Sequence, residues 1–225
     1  MAEAAGPVKG FYYVLGAVAI GGGVALWYGA QRPAGSAPPV SPTPVAATDG
    51  FRGFTLGSDT ARVEVTEYSD FECPFCAQFA TVQMPVIREQ LIAAGRVRWR
   101  YRDFPLPGHQ YSRYAALVAQ CAGEQGRFWE MHDQLFFHHQ WALTGRNPRG
   151  LFRDFAKAAG LDLAKYDACV DAQRYAGRIQ ASVEEGTTLG VNATPTFFIN
   201  SRRYAGRSTS DAFKAAVDSI TKSRK

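Results

Sequence analysis

Two cysteines separated by a proline and a phenylalanine, in the stretch "YSDFECPFCAQFA" from Tyr68 to Ala80, are the residues of this chain best suited to chemistry. Such a pair can clamp a metal, staple a loop or act as a reactive dithiol. If a helix starts at the first cysteine, Cys73 is its N-cap, Pro74 takes the first helical position, where proline is favoured, and Cys76 falls at N3. The free N–H groups and positive dipole end of a helix start favour a thiolate, and cysteines placed there have pKa values of roughly 3.5 to 7.5. On this geometry Cys73 is the exposed nucleophile and Cys76, facing inward, the resolving thiol. Zinc would need about two more ligands at suitable spacing. Cys121 and Cys169 stand singly and far apart, and His138 and His139 are adjacent, which is not ligand spacing on one helix. No metal is expected. An inert staple closing so short a loop adds little entropic stabilisation.

The elements that hold the pair follow from periodicity. "ARVEVTEYS" alternates and is rich in β-branched residues, so it reads as a strand, and the segment from Pro74 to Ala94 has helical spacing with a kink expected at Pro85. "GRVRWRYRDF" is a second strand. From Tyr111 to Leu189 the pattern is helical, broken by the loop from Thr144 to Arg149 and by Gly160. "TPTFFIN" and "RRYAG" read as short strands joined at Asn200-Ser201, and "TSDAFKAAVDSI" as a closing helix capped by Thr209 or Ser210. No internal repeat is visible. The order β-α-β, a helical block, then β-β-α predicts one α/β sheet domain with a helical insertion.

At 225 residues, with 46% hydrophobic and 20% charged residues, the chain has material for one substantial core plus appendages. The net charge of +5 is spread along the chain and does not argue for nucleic acid. After a short segment, 1–10, residues 11–30 ("FYYVLGAVAIGGGVALWYGA") carry no charge and would span about 30 Å as a helix, enough for a bilayer. The run is longer than the apolar region of a cleavable signal peptide, and the cleavage sites near it are poor, with bulky Tyr28 before Ala30 and Pro38 after Ala37. An uncleaved transmembrane anchor is therefore expected. Lys9 and Arg32 nearly balance, so they do not orient it, and Ala17, Gly21, Ala25 and Gly29 form one small-residue stripe along it. Residues 31–50, with five prolines and no apolar periodicity, read as an extended linker, and 51–225 as the folded domain.

The runs "VTEYSDFECPFC", "RDFPLPGHQYSRYAALVAQCAGEQGRFWEMHDQLF" and "GVNATPTFFIN" resemble the DsbA-like thiol:disulfide oxidoreductases of the thioredoxin superfamily, over about Gly53 to Ile220. The resemblance implies a thioredoxin fold with an inserted helical subdomain at about 109–190. It implies Cys73 as nucleophile, Pro195 as a cis-proline facing the dithiol, and Thr194 offering its backbone to an incoming peptide beside Pro74 and Phe75. Glu67 matches the family's buried acid, which relays the proton of the resolving thiol. Its alternation with Val63 and Val65 suits burial, against the plainer reading of a solvated strand glutamate. Phe75 departs from the family, since many strongly oxidising members place a histidine there. Some members carry a second disulfide in the helical block. Of the three pairings that four cysteines allow, Cys73 with Cys76 and Cys121 with Cys169 is the one that keeps the reactive pair, the alternative being two buried free thiols.

The activity implied is extracytoplasmic disulfide formation in exported thiol-containing proteins, with no cofactor, the catalytic domain held outside the cell membrane and reoxidised by a membrane quinone-linked partner. The same residues serve a reductase or isomerase that starts from the dithiol. A third reading is an anchored binding or assembly protein whose Cys-x-x-Cys does no catalysis. Arg96, Arg98, Arg100 and Arg102 share one strand face, either a surface for acidic partners or a solvated and salt-bridged face. His109, His132 and Trp129 are expected to serve helix packing, and Trp141 has no assigned role.

Overall fold

The computed structural model describes residues 50–204, 206 and 208–222. The expected segment 1–10, the anchor 11–30 and all of the linker except Gly50 lie outside the described residues. Among the described residues no helix is long and apolar enough to cross a membrane.

Strand β1 (Phe54–Leu56), β2 (Val63–Ser69) and β3 (Val97–Asp103) precede the helical insertion, and β4 (Thr196–Ile199) and β5 (Arg202–Arg203) follow it. They form one sheet in the order β1-β3-β2-β4-β5. β2 and β3 run parallel with Val65 opposite Trp99, and the remaining pairs are antiparallel. A parallel pair needs a crossover, supplied here by a helical run between the two strands. That run comprises α1 (Pro74–Gln78), a π-helical stretch (Phe79–Gln83), α2 (Met84–Ile87) and a second π-helical stretch (Arg88–Ile92). The kink expected at Pro85 takes this form. Proline has no N–H for an i→i−4 bond, and just ahead of it the Met84 N–H reaches back five residues to the carbonyl of Phe79.

Five α-helices fill the insertion: α3 (Ser112–Glu124), α4 (Phe128–Phe137), α5 (Arg149–Ala158), α6 (Leu163–Asp171) and α7 (Ala176–Thr188). Besides the expected breaks, the helices part at Gly126, whose φ of 72° ends α3 as a left-handed residue does. Asp162 caps α6, its carboxylate accepting from the N–H groups of Ala164 (2.9 Å) and Lys165 (3.2 Å). β4 and β5 meet in a tight turn in which Asn200 and Ser201 both have positive φ, 46° and 67°, the type I′ geometry that suits strand twist. The closing helix α8 (Ser210–Lys222) starts after Thr209, whose hydroxyl accepts from the Ala212 N–H at 3.4 Å.

The dithiol lies in one of two large cores. One face of the sheet (Val63, Val65, Trp99, Phe197) packs on Phe79, Ile87 and Phe213 from the crossover run and α8. The helical insertion builds the other core from Leu117, Met131, Leu135, Phe152 and Ile179, and this cluster takes in Phe71, Cys73 and Cys76. A disulfide joins Cys121 on α3 to Cys169 on α6 inside it.

Candidate active site

Cys73 is the N-cap of α1, in an extended conformation (φ −75°, ψ 123°), with Pro74 in the first turn and no side chain capping the helix. Its own N–H donates to the Asp70 carbonyl at 3.1 Å and its carbonyl accepts from Ala77 at 3.0 Å. Both cysteines are free thiols. Cys76 is fully buried, and Cys73 is nearly so at 3% exposure, which corrects the expectation of an exposed nucleophile. The cause is the segment before β4: the Cys73 Sγ donates to the Thr194 carbonyl at 3.4 Å, and the peptide from Thr194 to Pro195 is cis. The side chain that does project is Phe75, 69% exposed.

The two thiols are electrostatically unequal. Cys73 is lowered to about 5, chiefly by a hydrogen bond from the Cys76 thiol and further by the Thr194 side chain and the backbone N–H groups of Cys76 and Phe75, all acting against burial. Cys76 is pushed well above its ordinary value, first by burial and then by the neighbouring Cys73 sulfur.

Glu67 lies on β2, the strand that leads toward Cys73, and faces the core with Val63 and Val65. It is 1% exposed, and its Oε2 accepts from the Trp99 indole N–H at 2.9 Å. Burial raises its pKa to about 7, against the lowering influence of that hydrogen bond and of the Arg88 charge. The plainer reading of a solvated glutamate therefore fails. Three residues on, the Asp70 side chain, also buried, fixes the loop to Cys73: its oxygens accept from the N–H groups of Glu72 and Leu106, both at 2.8 Å, and from the Ser112 hydroxyl, and pair with His109 Nδ1 at 2.7 Å. His109 is thus tied to the active loop rather than to helix packing, a role invisible in sequence because its partner lies 39 residues away. His132 and Trp141 are buried in the helical core, where Trp141 donates to the Leu135 carbonyl at 2.9 Å.

A groove of about 430 Å³ opens beside the dithiol, lined by Phe75, Gln78, Phe79, Gln83, Thr194 and Pro195 among others. Val82, on the same helical run, is exposed at 55%. The arginine face of β3 is ion-paired, together with Arg96 just before the strand: Arg98 and Arg100 both bond Glu64, Arg102 pairs with Glu185 and Arg96 with Asp218. Among the described residues no cluster of His, Cys, Asp and Glu could hold a metal ion.

Comparison with known proteins agrees with this fold. A family model described as Thioredoxin matches residues 51–219. The chain is similar to oxidised BdbD from Bacillus subtilis, with a TM-score of 0.69 at 25% identity over 75% of this chain and 92% of that one. A thioredoxin-like oxidoreductase from Silicibacter pomeroyi DSS-3 matches with a TM-score of 0.62 at 26% identity, over 75% and 92% of the two chains. Alpha-DsbA1 from Wolbachia pipientis shares the fold, with a TM-score of 0.66 at 22% identity over 74% and 89%. Among curated proteins, one named Na(+)/H(+) antiporter NhaA 3, from Salinispora tropica, is 41% identical over 170 residues, 75% of this chain and 25% of that protein. The chain thus spans about a quarter of the length of the curated relatives it matches.

Proposed function

We propose, from the premise that this chain belongs to the thioredoxin family and is a thiol:disulfide oxidoreductase of DsbA-like form, that it works as an oxidant of exported proteins. The observation that carries this reading is the placement of the dithiol: Cys73 caps the start of α1 with its sulfur against the Thr194 carbonyl while Cys76 is buried, and a Cys73 pKa lowered to about 5 favours the reduced pair, so the disulfide is a willing electron acceptor. A substrate thiolate attacks the Cys73 sulfur of the Cys73–Cys76 disulfide. The sulfur–sulfur bond breaks, its electron pair leaves on Cys76, and Cys76 takes up a proton, for which Glu67 is the assigned donor. A second substrate thiolate then attacks the mixed disulfide and expels Cys73 as thiolate, a good leaving group because of its low pKa. Two electrons pass from substrate to enzyme, and the substrate gains a disulfide.

The groove with Phe75, Pro74 and the Thr194–Pro195 backbone is the proposed seat of an extended substrate segment. Cys121–Cys169 is assigned a structural role. The anchor at 11–30 and linker at 31–50 belong to the same proposal: they hold the domain on the extracytoplasmic side, within reach of a quinone-linked membrane partner that reoxidises the pair. A cytosolic setting would keep it reduced. Ion transport, the activity in the name of the longer curated relatives, is not proposed for this chain.

Equilibration with glutathione tests the direction. The expected potential is above that of thioredoxin, about −270 mV. A value at or below it would favour a reductase or isomerase that starts from the dithiol.

A further inference from the structure

We infer that His109 is a positioning residue of the dithiol chemistry: held by Asp70, its imidazolium offsets the negative charge around Cys73 and so helps set how far the pair favours its thiolate form. The inference deepens the reading of Cys73 and Cys76 as a redox pair and rests on it.

Asp70 joins the histidine to the nucleophile. Its carboxylate pairs with His109 Nδ1 at 2.7 Å, while its main-chain carbonyl accepts the N–H of Cys73 at 3.1 Å. The carboxylate cannot swing away, because the Glu72 and Leu106 N–H groups and the Ser112 hydroxyl hold both oxygens and the side chain has no exposure. This carboxylate sits on the loop whose main chain bonds Cys73, where negative charge would work against a thiolate. Phe75, between the cysteines, supplies no cation to relieve it. His109 is the cation on hand, and at 28% side-chain exposure it can exchange its proton with solvent.

The groups that act on His109 come from every side. Burial opposes its charged form, the hydrogen bond and charge of Asp70 and the charges of Glu72 and Cys73 favour it, and the balance raises its pKa, while its own charge in turn disfavours that of His139. Glu72 is itself fixed, its carboxylate accepting the Tyr111 N–H at 2.7 Å. Because coupling is reciprocal, a histidine that stabilises the thiolate must be made more basic by it. In the disulfide Cys73 is neutral, so that contribution vanishes. His109 must therefore titrate at higher pH in the reduced protein than in the oxidised one.

Imidazole NMR on the intact protein in both redox states measures this, with His109→Gln assigning the signal among the four histidines. The expected difference is about 0.5 unit or more, the size of a partly screened charge pair. His109→Gln should move the thiolate titration of Cys73 upward by a similar amount, and His109→Arg, which restores the charge, should bring it back. Equal His109 midpoints in the two redox states would overturn the inference, and this measurement does not depend on any variant folding. A Cys73 titration unmoved in folded His109→Gln would overturn it too. Protein that exchanges with glutathione yet shows equal midpoints refutes the role of His109 alone. Protein that fails to exchange refutes the oxidant reading, while the two midpoints still judge His109.

Discussion

Replacing Cys76 with alanine removes the largest single contribution to the Cys73 thiolate and leaves the rest in place. In the native pair the Cys76 thiol donates to the Cys73 sulfur, the Thr194 side chain and two backbone N–H groups add to it, and burial works against them. A hydrogen bond to a charged group contributes about 1.5 to 3 kcal/mol, and each pKa unit corresponds to about 1.36 kcal/mol. The loss therefore moves the titration up by about 1 to 2 units, from about 5 to between about 6 and 7. It should stop short of an ordinary cysteine, about 8.5, because Thr194 and the start of α1 still act on the sulfur. The ultraviolet absorbance of the thiolate against pH gives the midpoint, and the alkylation rate of Cys73 provides a second reading. A midpoint that stays near 5 would show that the helix start alone sets the thiolate. One that reaches the ordinary value would show that it contributes nothing. Either result refutes the division of labour drawn from the structure. The sign also reaches stability: a depressed thiol pKa stabilises the reduced fold above the unfolded pKa, and that contribution fades as pH falls toward 5.

Glu67 has the opposite sign. Its folded pKa of about 7 exceeds the ordinary 4.5, so the protein should lose up to about 3 kcal/mol of stability as pH rises from 4.5 through 7, and Glu67→Gln should flatten that dependence in denaturant melts at pH values on either side of the window. An unchanged slope would mean that another group is titrating. The Cys121–Cys169 bridge spans a sequence separation of 48, and opening it with a double alanine replacement should cost about 4 kcal/mol on the chain-entropy account, read as a lower denaturation midpoint. Mild reduction of the native protein should open the active-site pair first, giving two alkylatable thiols by intact mass. Four at that stage would contradict a buried structural bridge.

The long strands and the helix start at Cys73 were legible because each carries a local signal: alternation over seven residues in β2 and β3, and proline directly after the capping cysteine. β1 was not, since three residues of mixed burial are too few to show a period and the strand exists through its antiparallel pairing with β3, Phe54 opposite Tyr101. The π-helical stretches escaped for a related reason. Proline announces a disturbed helix but not whether it bends or widens. The near-complete burial of Cys73 depends on Thr194, 121 residues away, and the Asp70–His109 pair on a contact across 39 residues, so neither leaves a periodic trace. Glu67 showed half of its setting. Its strand face pointed inward, but the Trp99 indole that holds it comes from the neighbouring strand.

The arginines of β3 show how the site depends on a part of the sheet that does no chemistry. Their ion pairs are partly buried, Arg102 at 7% and Arg100 at 15% side-chain exposure, and what they hold in place matters beyond their own stability. Glu64 on β2 is gripped by Arg98, opposite it across the parallel pair, and by Arg100, the next residue on the same face of β3. A slip of β2 by one residue would break that grip and turn Val63, Val65 and Glu67 toward the arginine face. The same slip would take Glu67 from the indole of Trp99 and shift the loop at Asp70 that delivers Cys73 to the start of α1. The ladder of charges therefore serves the dithiol by fixing register. With its cations occupied by Glu64, Glu185 and Asp218, the face offers little free charge to an acidic partner, and the groove beside Phe75 and Pro195 remains the surface proposed for a substrate chain.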